Sequence, residues 1–113
     1  MAPELNLEQL REEIDRIDEV IVRLLDSRAR CAYAVGRLKH QQSRAIYEPS
    51  REAAVIAHVR AVNESLEGPL DGDAIARLYE RIMDEARRIQ RLEAERDAAR
   101  REGADKSNEQ SES

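Results

Sequence analysis

The chain has 113 residues, 41% of them apolar and 38% charged, with no Phe, no Trp and a formal net charge of −5. That length suits one domain with a modest core, and the acidic balance argues against a general nucleic-acid binder, which carries a basic surplus. Abundant Ala, Leu, Ile, Glu and Arg with few Gly or Pro point to long helices rather than a sheet.

The N-terminal segment "MAPELNLEQL" lacks the basic and apolar regions of a secretory signal. A first helix is expected from near Asn6, where "NLEQ" offers an N-cap with Gln9 three residues on, to about His40. Such a helix is about 50 Å long. Its apolar residues repeat in heptads: Leu7, Leu10, Ile14, Ile17, Ile21, Leu24, then Cys31, Val35 and Leu38, with Arg28 at one core position. The remainder of the chain is too small to cover a face of that length, so a second copy is expected to do so. Gly36 costs roughly 1 kcal/mol relative to Ala in a helix, and its missing side chain permits close approach of another helix or of a substrate.

"HQQSRAIYEP" reads as a loop, after which Pro49 opens a second helix at a position where its missing N–H is harmless. Val55, Ile56, Val59, Val62 and Leu66 form that helix's inward stripe. "LEGPLDGD" breaks the chain again, with Asp71 or Asp73 able to cap a third helix. That helix turns Ile75, Leu78, Tyr79, Ile82, Met83, Ala86 and Ile89 inward. After Leu92 the apolar pattern fades, so a helical domain over residues 1–94 and a polar, disordered tail over 95–113 are expected. No 18-residue apolar run is present, so no membrane span is expected. Cys31 is the single cysteine, which allows no intrachain disulfide and fits a reducing cytoplasm. It is expected as a packed core thiol, and His40 and His58 show no metal-ligand spacing.

The charged residues near the seam carry the functional signal. A lone Arg at a heptad core position is usually a snorkelling side chain or a register device. Arg28, however, has Arg11 and Lys39 in the row beside it. Three cations along one apolar face repel and lose hydration unless anions pair with them, which a ligand with carboxylates or phosphates would do. Arg28 and Lys39 are about 16 Å apart along the axis, close enough for two long side chains to bracket a small dianion, whereas Arg11 and Arg28 are about 26 Å apart. Arg11 therefore either serves no part of that site or reaches the site of an antiparallel partner. Glu52 points along the second helix's stripe and could accept a hydrogen bond from a ligand hydroxyl, with Arg51 adding charge. Taken alone, Glu52 is also an ordinary first-turn carboxylate, and Gln90 on the third helix is an ordinary polar residue near a helix end.

"LREEIDRIDEVIVRLLDSRARCAYAVGRLK" followed by "YEPSREAAVI" resembles the all-helical class of chorismate mutase, over roughly residues 7 to 92. The resemblance implies an all-α, intertwined homodimer of three-helix chains with two shared sites. It implies the rearrangement of chorismate to prephenate without a cofactor, on the route to phenylalanine and tyrosine. It implies that Arg28, and Arg11 from the other subunit, grip the substrate carboxylates. Lys39 would contact a carboxylate and the ether oxygen, with Gln90 as second donor to that oxygen. Glu52 would accept from the ring hydroxyl, and Arg51 would contribute at longer range. Two positions depart from the family pattern: Glu48 stands where Asp is familiar, and Ala86 replaces a small polar residue. The rival readings are an isochorismate pyruvate lyase on the same scaffold, which Glu52 disfavours, and a non-enzymatic helical dimerisation module.

Overall fold

In the computed structural model, residues 6–111 are described, with side chains through residue 104. Three helices follow in order, α1 (Leu7–Gln41), α2 (Pro49–Leu66) and α3 (Gly72–Ser111), with no strand among the described residues. The chain divides into two compact units, one ending at Cys31 and the other beginning at Ala32.

The first unit is the N-terminal part of α1. Asn6 Oδ1 accepts from the Gln9 amide at 2.8 Å, and the Asn6 amide donates back to Gln9 Oε1 at 3.1 Å, the reciprocal capping box expected from the sequence. Pairs one helical turn apart, Glu13 with Arg16 and Asp26 with Arg30, brace the polar face. The seam residues Leu7, Leu10, Ile14, Ile17, Ile21 and Leu24 are 46–63% exposed. Single exposed aliphatics are ordinary, but a continuous stripe of them marks an interaction surface.

The second unit holds the end of α1 together with α2 and α3. Its core is small: among the described residues, the buried hydrophobic side chains are Ala32, Ala76 and Met83. On α1 the buried positions are Ala32, Gly36 and Lys39, spaced four and three apart, so they share one face. The expected seam residues Val35 and Leu38 remain exposed, and so does Cys31, which is therefore no core thiol within the single chain. Small size explains the choice of face. A Cβ added at Gly36 would lie 3.1 Å from Gln90 Cα and 2.9 Å from its Cγ, so α3 crosses α1 where α1 has no side chain. On α2 no residue is buried, and Val62 and Leu66, expected inward, are exposed. Leu78 on α3 is exposed as well.

The turns are set by local chemistry. α1 ends in a Schellman arrangement: Ser43 takes φ 55°, its amide donates to His40 O at 3.2 Å, and the Arg44 amide donates to Lys39 O at 2.7 Å. That reversal folds residues 44–48 back along the last turn of α1. α2 begins at Pro49, as expected, and closes with Glu67 in the left-handed region. Asp71 is the cap of α3, accepting from the Ala74 amide at 2.7 Å, while Asp73 instead pairs with Arg60 at 3.0 Å. Beyond residue 94, α3 continues as helix to Ser111. Ala98, Ala99, Arg100 and Arg101 are good helix formers, and Asp97 pairs with Arg101 one turn on.

Candidate active site

Lys39 stands on the last turn of α1, facing α3, and is 9% exposed. A buried ammonium needs acceptors. Lys39 Nζ donates to Ile46 O at 2.6 Å, pairs with Glu48 Oε1 at 3.1 Å and lies 3.4 Å from Gln90 Oε1. The first two acceptors are delivered by the chain reversal after Ser43, and the third by the approach of α3 over Gly36. Gln90 is 7% exposed, which separates it from the usual surface glutamine near a helix end.

Glu48 is the N-cap residue of α2, yet its side chain makes no capping hydrogen bond. Its carboxylate turns to Lys39 and, at 3.6 Å, to Arg44. The hydrogen bond from Lys39, then the charge of Lys39, hold the Glu48 carboxyl below its ordinary value of 4.5, with Arg44 and Arg51 adding to the effect. Arg51 is exposed, in the first turn of α2.

Glu52 is half-buried one turn into α2. Both its oxygens accept from Nη1 of Arg87 on α3, at 2.5 and 2.6 Å. Arg87 also bonds Asp84, and its guanidinium lies 5.4 Å from the centre of the Tyr47 ring. The hydrogen bond to Glu52 is the largest influence raising the Arg87 pKa above its ordinary value, against partial burial. Ala86, the neighbour of Arg87, is half-buried.

The second unit thus brings Lys39, Glu48 and Gln90 into one cluster and joins Glu52 to α3. Arg11 and Arg28 belong to the first unit, where Arg11 is exposed and Arg28 half-buried. The sequence reading missed Arg87. Its signal was available, because Met83, Arg87 and Gln90 follow the same four-and-three spacing that places Ala32, Gly36 and Lys39 on one face. It also missed Glu93, which is 3% exposed, faces Arg37 at 3.7 Å and Arg100 at 3.3 Å, and leaves Oε2 without a hydrogen bond. Beside it, His40 Nε2 lies 2.8 Å from Asp97 Oδ2, without hydrogen-bond alignment. Among the described residues, no group of three His, Cys, Asp or Glu side chains could hold a metal ion. No helix among them is long and apolar enough to cross a membrane.

The cluster offers buried donors of hydrogen bonds and charge but no nucleophile aligned with a base, which suits electrostatic rather than covalent catalysis. Comparison with known proteins identifies the family. The family model for chorismate mutase type II matches residues 10–91. The bifunctional chorismate mutase/prephenate dehydratase of Pseudomonas aeruginosa is 41% identical over 88 residues, covering 74% of this chain and 23% of that protein. The T-protein of Haemophilus influenzae is 34% identical over 80 residues, covering 71% of this chain and 21% of that one. The chain therefore spans less than a quarter of the length of these curated relatives. Among solved structures, chorismate mutase (form II) from Thermus thermophilus superposes with a TM-score of 0.71 at 30% identity, covering 75% of this chain and 93% of that chain.

Proposed function

The chain belongs to the chorismate mutase type II family, and from that membership we propose that it rearranges chorismate to prephenate, serving the synthesis of phenylalanine and tyrosine in the cytoplasm. The observation that carries the reading is the burial of Lys39 against Gln90, a cation and an amide brought together from residues 51 apart. A unimolecular rearrangement needs no general base. It needs a reactive conformer and charge placed where the transition state develops it. Lys39 supplies that charge at the ether oxygen of the breaking bond. Gln90 presents its carbonyl oxygen to Lys39, which leaves its amide N–H groups to donate to the same ether oxygen. No cofactor is required.

The carboxylates of chorismate are gripped by Arg28 and by Arg11 of the partner subunit, in a homodimer with two shared sites. The exposed aliphatic stripe of α1 supports that assembly, because a second copy of the same stripe is its natural cover. Glu52 accepts from the ring hydroxyl, Arg51 adds charge at longer range, and Glu48 must share Lys39 with the incoming carboxylate. Ala86 lines the pocket without a polar contact. Residues 1–94 form the mutase-like domain in this reading.

The test is to supply the purified chain with chorismate and, separately, with isochorismate. Prephenate from chorismate is expected. Salicylate and pyruvate from isochorismate, without prephenate, would replace the reading by a lyase. No product from either would replace it by a dimerisation module.

A further inference from the structure

Arg87 has no part in the reading above, yet it is held by three other side chains: Glu52, Asp84 and Tyr47. It binds both oxygens of Glu52 across the α2–α3 interface, bonds Asp84 on its own helix and lies over the face of Tyr47. Exposed ion pairs within one helix are commonplace and contribute little. This pair differs in joining residues 35 apart whose side chains are 24% and 23% exposed. On α3, Arg87 lies four residues after buried Met83 and three before buried Gln90, so it shares the face from which Gln90 reaches Lys39.

We propose that Arg87 is a positioning residue that fixes the aim of the Glu52 carboxylate, and so sets the preference of the site for a substrate bearing a ring hydroxyl. The inference rests on the chorismate mutase reading. A glutamate side chain has three rotatable bonds, and an unheld one would sample several directions. Nη1 of Arg87 straddles the two oxygens and takes one lone-pair position on each. A carboxylate has about four such positions, so two remain for a ligand hydroxyl. The carboxylate is thereby held in one orientation with acceptor capacity to spare. A hydroxyl hydrogen bond of this kind is made alike in ground and transition states, so it acts on KM rather than kcat. A site built around it also disfavours the analogue that lacks the hydroxyl, because the aimed carboxylate then goes unanswered.

The experiment measures kcat and KM of the full chain for chorismate and for the analogue with hydrogen in place of the ring hydroxyl. The proteins are the unaltered chain, Arg87→Met, Arg87→Lys, Glu52→Gln and the double variant Glu52→Gln/Arg87→Met. Arg87→Met is expected to raise KM for chorismate about tenfold, with kcat little changed, and to leave the analogue unaffected. Arg87→Lys should recover part of the preference, since an ammonium can imitate the single nitrogen that pairs with Glu52 but not the stacking on Tyr47 or the second bond to Asp84. In the Glu52→Gln background, Arg87→Met should change the preference no further. Equal losses on both substrates, or a preference undiminished in Arg87→Met, would overturn the inference while leaving the mutase reading intact. Failure of the unaltered chain to convert chorismate would overturn both.

Discussion

Lys39 keeps a charge where little water reaches, and the contacts that make this tolerable also show what its loss would do. Ile46 O and Glu48 satisfy the ammonium, and Gln90 stands beside it. One preorganised donor at a developing negative charge is worth about 10²–10³ in rate. Lys39→Ala should lower kcat by about that factor while helix content and subunit mass stay as in the unaltered chain. Near-full turnover in this variant would remove Lys39 from the mechanism. Glu48 gives a second, pH-dependent signature. Its carboxyl is held below 4.5 in the folded chain, so the stabilisation it brings is fully present above the unfolded value. That stabilisation is lost as pH falls through the folded value. Glu48→Gln should therefore unfold at lower urea concentration than the unaltered chain at pH 7, and the difference should shrink as pH falls below the ordinary carboxyl range. A gap that persists or widens in acid would show that Lys39 is not its main partner.

At the level of helices, the crossing of α1 and α3 is the contact on which the proposed site depends. Gly36→Ala would gain about 1 kcal/mol of helix propensity. It would also press a methyl group against the backbone of Gln90 at 3.1 Å, and overpacking of that kind costs about 1–3 kcal/mol. The clash wins, because a backbone atom cannot swing aside as a side-chain tip can. The variant should melt a few degrees lower and lose activity through displacement of Gln90, both measurable by calorimetry and a prephenate assay. A variant that melts higher would mean that α3 yields freely. Helix ends were legible in the sequence because capping is local: Asn6 with Gln9, Pro49 and Asp71 stand where the chain pattern puts them. The face of α1 that packs within the chain was legible only at Gly36, whose missing side chain marked a close approach. Heptad reading favours large side chains, whereas α3 chose the row of Ala32, Gly36 and Lys39, where bulk is least. The Glu52–Arg87 pair was hidden for a related reason, since only the α2–α3 fold brings two charged residues 35 positions apart together.

For the whole chain, the balance of covered and uncovered apolar surface is decisive. Among the described residues three hydrophobic side chains are buried, while Leu10, Ile14, Ile17, Ile21 and Leu24 along α1 are all at least 46% exposed. A domain near 100 residues with so small a core lacks the burial that offsets chain entropy. Folding is therefore expected to be coupled to association. The melting temperature should fall on dilution, since each tenfold dilution removes about 1.4 kcal/mol per mole of dimer. Sedimentation should give the mass of two chains. A melting temperature independent of concentration, with the mass of one chain, would leave Arg11 without a site to serve.

Gly36 has a consequence beyond permitting contact. Of the three positions on the buried face of α1, it alone lacks a Cβ, so it works as an indexing notch for α3. Sliding α3 by one turn, about 5.4 Å, would set its backbone against Ala32 or the stem of Lys39 and carry Gln90 out of reach of the ammonium. The spacing of the two proposed catalytic groups is thus fixed by where the helices can seat, before any substrate is encountered. A glycine that donates and accepts nothing in the proposed chemistry serves as the gauge for it.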